Sequence, residues 1–395
     1  MRILQVHNFY LQAGGEDEVL WAENRLLTRR GHQVQQLLKR NDKLSSIQLG
    51  FEFFVNTHYS KSGREKIAAA LEEFHPDVMH VHNFFPLFSP SIYDACAERN
   101  IPVVQTLHNF RILHPNALLY HNGEVDERPL SGSAYQCVSD RVYRKSILQT
   151  TIVAHMIEYH KRRDTWNKKV TRFIALTDFC KMKFVQGGIL PHKIEVKPNF
   201  ASEPKQLDVY EPPFPKDAYC LFVGRLSEEK GVRTLLNAWE QQEIPLPLVI
   251  AGSGPFEQKL KGYGSSDPRI RWLGHRPKDE IMGLMQNALA LVFPSLWYEA
   301  FPMTIVEAFA SGLPVIASRL GSMAELIEDG RTGYLFEPGN TGALASAVRR
   351  AHENREELNH MKSEARKEYE RLYMPERNYR MLISIYERAI EDQHN

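Results

Sequence analysis

Short apolar runs alternate with longer amphipathic segments along most of this chain. In the first half the apolar runs lie at 3–7, 77–82, 102–108 and 173–176, and short apolar runs bounded by polar residues predict buried strands. An amphipathic pattern predicts a helix over 16–30, which Gly31 would end as its C-cap. Strands that alternate with helices indicate a parallel sheet covered on both faces.

A second series of the same kind follows an interruption at 199–217. This stretch has four prolines and no periodicity, which predicts a linker between domains. Strands are then predicted at 218–223, 247–251, 270–273, 290–293 and 314–317. The tail over 343–390 reads as helical, with a break at Pro375. The pattern therefore predicts two doubly wound α/β domains, over 1–198 and 218–375.

Composition adds little beyond solubility and compartment. The chain has 395 residues, enough for two domains, and 43% of them are hydrophobic. No run approaches the ~20 apolar residues that span a bilayer, and the first residues are too short in their apolar part for a secretory signal. The four cysteines are far apart without a CxxC pair, which argues against a disulfide framework or a zinc knuckle. A cytoplasmic protein is expected.

The segment after the strand at 290–293 has the strongest chemical pattern. Pro302 lies near the start of a predicted helix, so free backbone N–H groups point out at the carboxyl edge of the sheet. A helix N-terminus there suits a phosphate. Glu299 could reach sugar hydroxyls beyond the phosphates, and Glu307 could reach ribose hydroxyls behind them. A buried helix with one capping acid and one surface acid is an equal alternative on spacing alone.

A second loop, after the strand at 218–223, places Arg225 and Lys230 between Gly224 and Gly231. Two cations beside a flexible backbone suit a diphosphate leaving group. A loop of this kind is more often a solvated turn, and the Walker spacing is absent. The glycines at 252 and 254 also lack the GxGxxG spacing and are a weak signal alone.

Together these segments resemble the retaining glycosyltransferases of family 4, whose signature is a pair of glutamates spaced like Glu299 and Glu307. Further motifs match in order and approximate spacing: 224–231, 251–255, 273–274, 312–317 and 330–336, with 14–15 and 106–109 in the first half. The resemblance covers essentially the whole chain. It implies the GT-B fold, in which two Rossmann-like domains face each other across a cleft. The last helix, about 376–395, is expected to pack back on the first domain.

The resemblance also implies roles for individual residues. Arg225 and Lys230 would bind the donor diphosphate, Glu307 the ribose hydroxyls, Glu299 hydroxyls of the transferred sugar, and His108 would lie near that sugar. The catalytic candidates are thus Glu299, Lys230, Arg225 and His108. The other donor-site candidates are Gly14, Gly15, Gly224, Gly252, Gly254, Arg276, Phe301, Pro302, Met303, Thr304 and Glu307. Backbone amides at Phe301, Met303 and Thr304 would meet the distal phosphate, and Gly14 and Gly15 would let their loop approach the phosphates.

Three positions depart from the family pattern. Many relatives have glycine at the positions of Ala300 and Pro302, so a tighter phosphate loop is expected here. Many have aspartate at the position of Asn109, so no role is assigned to that residue. His80 and His82 alternate on a strand and are expected to pack or cap locally.

No cofactor or metal is expected, because the resemblance implies a metal-independent enzyme and no Asp-x-Asp triplet is present. UDP-sugars are favoured over GDP-sugars as donors. The pre-aimed cations and helix amides would stabilise the leaving nucleotide. No carboxylate of the first domain stands out as a covalent nucleophile, which favours a front-face route in which the leaving phosphate helps deprotonate the acceptor.

The acceptor side is less defined. Residues 109–138 form a long irregular segment, a candidate wall or lid. Residues 141–172 then have nine basic residues against two acidic ones, around an apolar helical stretch at 146–156. This could dock on an anionic membrane at the inner face or be an ordinary solvated helix. A saccharide or lipid-linked acceptor leads; a small soluble acceptor or a non-catalytic nucleotide-sugar-binding protein are alternatives. Nucleic acid is not expected as a partner, and no oligomeric state is indicated.

Overall fold

The computed structural model describes residues 1–10, 14–40, 53–54, 56–204, 211–242, 244–258 and 267–394. These form two compact units: Met1–Leu119 with Asp126–Asn199 and Glu376–Asn395, and Tyr120–Val125 with Phe200–Pro375. Gln12 and Ala13 of the predicted glycine loop, and 205–210 of the predicted linker, lie outside the described residues.

Each unit is built on a six-stranded parallel sheet. The strands are β1 (Arg2–Phe9), β2 (Gln33–Arg40), β3 (Val78–Val81), β4 (Val103–Thr106), β5 (Tyr120–His121), β6 (Glu124–Val125), β7 (Arg172–Ala175), β8 (Ile194–Val196), β9 (Cys220–Val223), β10 (Leu248–Ala251), β11 (Ile270–Gly274), β12 (Ala290–Phe293), β13 (Val315–Ser318) and β14 (Gly333–Phe336). The first sheet has the order β2-β1-β3-β4-β7-β8 and the second β11-β10-β9-β12-β13-β14, while β5 and β6 form a small antiparallel hairpin.

Helices cover the faces of both sheets. They are α1 (Gly15–Arg29), α2 (Lys61–Phe74), α3 (Ile92–Ala97), α4 (Arg128–Ser131), α5 (Ile147–Arg162), α6 (Thr165–Lys169), α7 (Asp178–Gln186), α8 (Val232–Gln241), α9 (Lys278–Asn287), α10 (Met303–Ala310), α11 (Gly321–Leu326), α12 (Thr341–Glu353), α13 (Arg355–Leu372) and α14 (Pro375–His394). None of the helices in the described part of the chain has the length and apolar character needed to cross a bilayer.

The strand order reverses at one place in each sheet. In the first unit β1 lies between β2 and β3, and in the second unit β9 lies between β10 and β12. In open α/β sheets, ligands bind in the crevice outside the carboxyl ends of the strands at such a switch point. The loops after β1 and β3, and after β9 and β12, are therefore the positions at which each unit would hold a ligand.

The structure differs from the sequence predictions in several elements. The predictions omitted β2, whose residues are only half-buried, and β8 and β14, which are short. Pro302 is the N-cap of α10 with extended ψ, so the helix begins one residue later, at Met303. The helical tail is divided at Asn354 as well as before Pro375, because the Asn354 side chain caps α13.

Much of the predicted linker is packed rather than free. Ala201 is buried in the core of the second unit, and its N–H donates to the Tyr373 carbonyl. Phe214 packs on the same core, and Asp217 accepts a hydrogen bond from Lys362 at 2.6 Å. These residues of the predicted linker therefore belong to the second unit.

The last helix, α14, belongs to the first unit. It buries Leu382, Ile385 and Ala389, and its Tyr386 hydroxyl is 2.7 Å from Nδ1 of His80 on β3. Arg388 binds both carboxylate oxygens of Glu195 on β8 at 2.8 Å. Apolar packing and two buried or half-buried polar contacts thus hold this helix on the first sheet.

Candidate functional site

The second unit brings two glycine-bounded loops together beside its switch point. The backbone N–H of Gly224 donates to Ala251 at 3.1 Å, and that of Leu226 donates to Ser253 at 2.9 Å. Gly252 has φ +148°, and a Cβ there would lie 1.9 Å from the Gly224 carbonyl oxygen. The glycines are therefore required by the close approach of the two loops, whatever ligand binds beside them.

Lys230 and Glu299 meet in this unit although they are distant in sequence. Lys230 Nζ donates to Glu299 Oε1 at 2.6 Å, and the same oxygen accepts from the Ser295 hydroxyl and the Trp297 ring N–H, each at 2.8 Å. Glu299 is only 6% exposed. Three donors thus converge on Oε1, while Oε2 stays available to a ligand hydroxyl.

Arg225 lies on the same loop as Lys230 but is much more exposed. Its guanidinium pairs with Glu229, which also accepts from the Ser227 hydroxyl at 2.7 Å. The Glu229 carbonyl accepts from the Leu296 N–H at 2.8 Å, so the loop after β9 is tied to the loop after β12. The structure therefore places both predicted cations beside the segment that holds Glu299.

The N-terminus of α10 has no side-chain cap. Its first residues, Met303 and Thr304, are half-buried, as is Phe301 before it, and Pro302 is buried. The first N–H groups of a helix lack intrahelical partners and favour an anion. Pro302 itself has no N–H, so in this loop it contributes conformation only. The Ser322 hydroxyl donates a hydrogen bond to the Ala300 carbonyl at 3.2 Å and so anchors the loop before α10.

Glu307 and Arg276 lie in separate ion pairs. Glu307 Oε1 is 2.9 Å from Lys278 Nζ, whose side chain is about half exposed. Arg276 faces Glu280 at 3.6 Å. Glu307 is on α10 one to two turns after the uncapped N-terminus, whereas Glu299 precedes the helix.

In the first unit, the glycine pair precedes a network of acidic residues. The Gly14 N–H donates to Asp17 Oδ2 at 3.1 Å, and Asp17 Oδ1 is 2.8 Å from His7 Nε2. A Cβ at Gly14 would meet nothing within 4 Å, and its φ is −133°. The chain itself therefore gives no reason for glycine at this position. Gly15, the first residue of α1, is exposed.

Glu16 is a site residue that the sequence reasoning missed. Its two carboxylate oxygens accept from Asn83 at 3.1 Å and Asn109 at 3.2 Å. Burial raises the pKa of Glu16 to about 8, and the nearby charge of Asp17 adds to the shift. An acid in the first turn of a helix is common for electrostatic reasons alone, so no local sequence pattern indicates this pairing. Asn109, which received no role, is one of its partners.

His108 lies directly beside His82, a buried residue just after β3. Nε2 of His108 is 3.0 Å from Nδ1 of His82, and the two rings lie 16° from parallel. Both residues line a small pocket at the carboxyl edge of the first sheet, together with Asn83, Asn109 and Arg111. The pKa values of both rings are held well below the ordinary range, chiefly by burial.

Three groups in the described residues have the side chains and spacing to hold a metal ion: Glu23 with His80 and His82, His114 with Asp126 and Cys137, and His7 with Glu16 and Asp17. In the second group, His114 Nδ1 accepts from the Asn116 N–H at 3.2 Å, and Nε2 lies 3.2 Å from Asp126. Nε2 therefore carries the hydrogen and has no lone pair for a metal. Arg128 also binds Asp126 through two nitrogens.

Two α/β units, each built on a doubly wound parallel sheet, are the architecture of the GT-B class of fold. The profile "Glycosyl transferases group 1" matches residues 207–368, and "Glycosyltransferase Family 4" matches residues 13–202. The chain therefore belongs to the group 1/family 4 glycosyltransferases.

Individual relatives match over shorter stretches. Glycogen synthase of Mycobacterium tuberculosis is 35% identical over 138 residues, which are 33% of this chain and 33% of that protein. O-antigen chain mannosyltransferase B of Escherichia coli is 29% identical over 138 residues, 33% of this chain and 35% of that protein. The matched stretch is thus only about a third of the length of these relatives. The structure of Anabaena Alr3699/HepE in complex with UDP is similar in fold, with a TM-score of 0.66, 18% identity and coverage of 97% of this chain and 99% of that chain.

Proposed function

We propose that this protein is a retaining glycosyltransferase that moves a sugar from a UDP-sugar to a saccharide or lipid-linked acceptor in polysaccharide or glycolipid biosynthesis. The observation that carries the proposal is the part-buried Lys230–Glu299 pair in the unit whose helix α10 has an uncapped N-terminus. An ion pair between two fully exposed side chains would suit a surface role without a ligand. Here a cation, a carboxylate and uncapped helix amides belong to the loops at the switch point of the sheet, where ligands bind in this class of fold.

The donor would bind to the second unit in a defined order of groups. Lys230, Arg225 and the amides of α10 would hold the diphosphate, because all three present positive charge or N–H groups. Glu299 would use its remaining oxygen, Oε2, for hydroxyls of the transferred sugar. Glu307 would hold the ribose hydroxyls. When the bond from the anomeric carbon to phosphate breaks, the developing negative charge meets donors that are already in place.

UDP is favoured as the donor nucleotide, because the HepE structure of the same fold contains it. This similarity in fold supports a uridine nucleotide as the class of ligand and favours no particular sugar. No resident metal would be needed, since Lys230 and the helix amides would supply the positive charge that a cation supplies elsewhere.

Retention would follow a front-face route, in which the leaving phosphate takes the proton of the acceptor hydroxyl. Glu16 is the carboxylate at the switch point of the first unit, and both its oxygens accept from asparagine amides. Because burial raises the pKa of Glu16 to about 8, this group is largely protonated at pH 7 and is a poor nucleophile. Detection of a glycosyl–enzyme adduct by intact mass after denaturation in acid would contradict the front-face route.

The acceptor would reach the protein at an anionic membrane surface. Ile147 and Leu148 at the start of α5 have 50% and 61% of their surface exposed. Arg144 and Lys145 precede them and are exposed as well. An exposed apolar pair beside basic residues is the arrangement that enters the headgroup region of an anionic bilayer. The C-terminal part of the basic stretch is less free, because Lys169 pairs with Asp94 and Arg172 with Asp392.

The decisive experiment combines donor binding with turnover. UDP-, GDP- and ADP-sugars are screened for a rise in melting temperature, since a ligand that binds only the folded state stabilises it. The donor that stabilises is then assayed for hydrolysis and for transfer to saccharide, lipid-linked and small soluble acceptors. We expect a UDP-sugar to stabilise and to be turned over. Stabilisation without turnover by any acceptor or water would instead identify a nucleotide-sugar-binding protein.

A further inference from the structure

The first unit buries a line of ionisable residues that donor binding does not use. Glu23, His80 and Lys197 are each 0% exposed, and His82 is 3% exposed. They lie on α1, on β3 and just after β8, around the centre of the first sheet. Buried charges are costly unless they are paired, so their arrangement requires a physical explanation.

The line is continuous from Lys197 to His108. Lys197 Nζ donates to Glu23 Oε1 at 2.8 Å. The other oxygen, Glu23 Oε2, lies 3.5 Å from His82 Nε2 as an electrostatic contact and not a hydrogen bond, and neither atom has a hydrogen-bond partner within the described residues. The second nitrogen of His82, Nδ1, is 3.0 Å from His108 Nε2. Two side chains, Glu23 and His82, thus lie between a buried cation and the candidate catalytic histidine.

A neighbouring histidine, His80, also approaches Glu23 Oε2, with Nδ1 at 3.9 Å compared with 3.5 Å for His82 Nε2. Its two nitrogens are engaged by the Tyr386 hydroxyl at 2.7 Å and the Thr106 hydroxyl at 2.8 Å. His7 is engaged through Nε2 with Asp17. His82 is therefore the ring that connects Glu23 to His108.

The direction of each hydrogen follows from the charge at one end. Glu23 is paired with Lys197 and acts as an acceptor, so the hydrogen of His82 is on Nε2, which faces it. His82 Nδ1 then has a lone pair and accepts, so His108 must donate from Nε2. A neutral imidazole has one N–H, which leaves His108 Nδ1 bare. Burial lowers the pKa of both rings, and both are therefore neutral at pH 7.

We propose that Glu23 and His82 are positioning residues that hold His108 as its Nε2–H tautomer, so that Nδ1 accepts a hydrogen bond from a sugar hydroxyl. The identity of the substrate as a sugar rests on the proposed function, whereas the tautomer of His108 does not. The tautomer also limits which chemical groups His108 can bind. A bare ring nitrogen attracts a hydroxyl hydrogen and repels a phosphate oxygen, so His108 would contact the sugar and not the diphosphate.

The test compares two variants with the wild type. The double variant Glu23→Leu with Lys197→Met removes the acceptor and its counter-charge together, which avoids leaving an unpaired buried charge. The control, Tyr93→Phe, deletes a buried hydroxyl of the same unit that donates to Gln105 at 2.7 Å outside this line. Circular dichroism and thermal unfolding establish that each variant is folded.

The readout of the tautomer is two-bond ¹H–¹⁵N correlation NMR on protein labelled in the histidine rings, with His108 assigned by loss of its signals in His108→Gln. In the wild type and in Tyr93→Phe, we expect a protonated Nε2 and a bare Nδ1. In the double variant, His82 is expected to shift its hydrogen to Nδ1 and His108 to become the Nδ1–H tautomer. An Nδ1–H His108 in the wild type, or no change in the double variant, would overturn the proposal.

Kinetics separate positioning from simple packing. With the tautomer changed, kcat for transfer is expected to fall by roughly 10- to 100-fold, while the donor KM changes by less than about threefold. A changed tautomer with unchanged kcat would overturn the role in transfer. If the wild type turns over no nucleotide sugar, the proposed function fails, but the NMR comparison still decides whether the line from Glu23 sets the tautomer.

Discussion

Lys230 and Glu299 are 69 positions apart in sequence, yet Nζ and Oε1 lie 2.6 Å apart in a largely buried pair. The Ser295 and Trp297 donors on the same oxygen fix the carboxylate independently of the lysine. An arriving diphosphate can therefore attract Lys230 without releasing Glu299. In the proposed function, Lys230 is a preformed cation for the diphosphate and Glu299 a preformed acceptor for the sugar.

Replacement of that cation tests the donor assignment. In Lys230→Ala, kcat/KM for transfer should fall by about 10²- to 10³-fold, because a group aimed at the developing negative charge is lost. Steady-state kinetics with the identified donor give the measurement. Arg233→Ala is the matched control, since Arg233 is an exposed cation three residues further along that pairs only with surface Glu228. Near-normal turnover in Lys230→Ala would refute the assignment.

Glu307 should affect donor binding more than chemistry. In Glu307→Gln the donor KM should rise about 10- to 100-fold, as expected for a lost hydrogen bond from a hydroxyl to a charged group, with a smaller change in kcat. Isothermal titration with UDP gives the same comparison without turnover. Glu353→Gln, an exposed acid on α12, should leave both quantities unchanged. An unaltered UDP affinity in Glu307→Gln would show that the ribose is held elsewhere.

Two glycines of the predicted donor site should respond to alanine in opposite ways. Gly252→Ala should destabilise the protein by more than about 2 kcal/mol, since the Cβ would overlap the Gly224 carbonyl. Gly14→Ala should leave the melting temperature unchanged, because its φ of −133° suits alanine and no atom lies within 4 Å. A loss of donor affinity in Gly14→Ala would then show that the donor approaches the backbone at position 14 too closely for a Cβ. Calorimetry and donor titration on both variants separate the two effects.

Glu16 should make stability depend on pH. Its pKa is raised from 4.5 to about 8, so between these values the folded protein binds more protons than the unfolded chain. The stabilisation is present below pH 4.5 and is lost as the pH rises through about 8, with a slope of at most about 1.4 kcal/mol per pH unit. Urea unfolding at several pH values across this range gives the free energy of unfolding at each pH. The slope of this free energy against pH should be smaller in Glu16→Gln than in the wild type. Glu65→Gln, exposed on α2, should retain the full slope.

Membrane docking should depend on the apolar pair at the start of α5. The variant Ile147→Ser with Leu148→Ser should lose most binding to vesicles of phosphatidylglycerol, whereas Met182→Ser, which alters another apolar side chain with 52% exposure, should not. Binding of the wild type should weaken as salt increases, because the contribution of Arg144 and Lys145 is screened. Equal flotation of the wild type with phosphatidylglycerol and phosphatidylcholine would end the membrane hypothesis.

The sequence predicted most strands and both sheets, because buried parallel strands are short apolar runs. It failed for β2, where Gln33, Gln35 and Gln36 interrupt the apolar pattern of a half-buried strand. In the site, the loops with Lys230 and Glu299 were predictable from their motifs, but their mutual contact was not. The contacts of Glu16 with Asn83 and Asn109, and of His82 with His108, join residues that follow different strands. No local spacing encodes such contacts, because they arise only where carboxyl ends of neighbouring strands meet.

The return of α14 to the first unit also has a consequence for biosynthesis. Residues 200–375 form the second unit, and they leave the ribosome before the helix that supplies Tyr386 to His80 and Asn378 to Lys197. The unit that is begun first is therefore finished last, and Lys197 can pair with Glu23 but not with Asn378 until α14 has been made. Truncation before Pro375 should spare the second unit and expose the first to proteolysis.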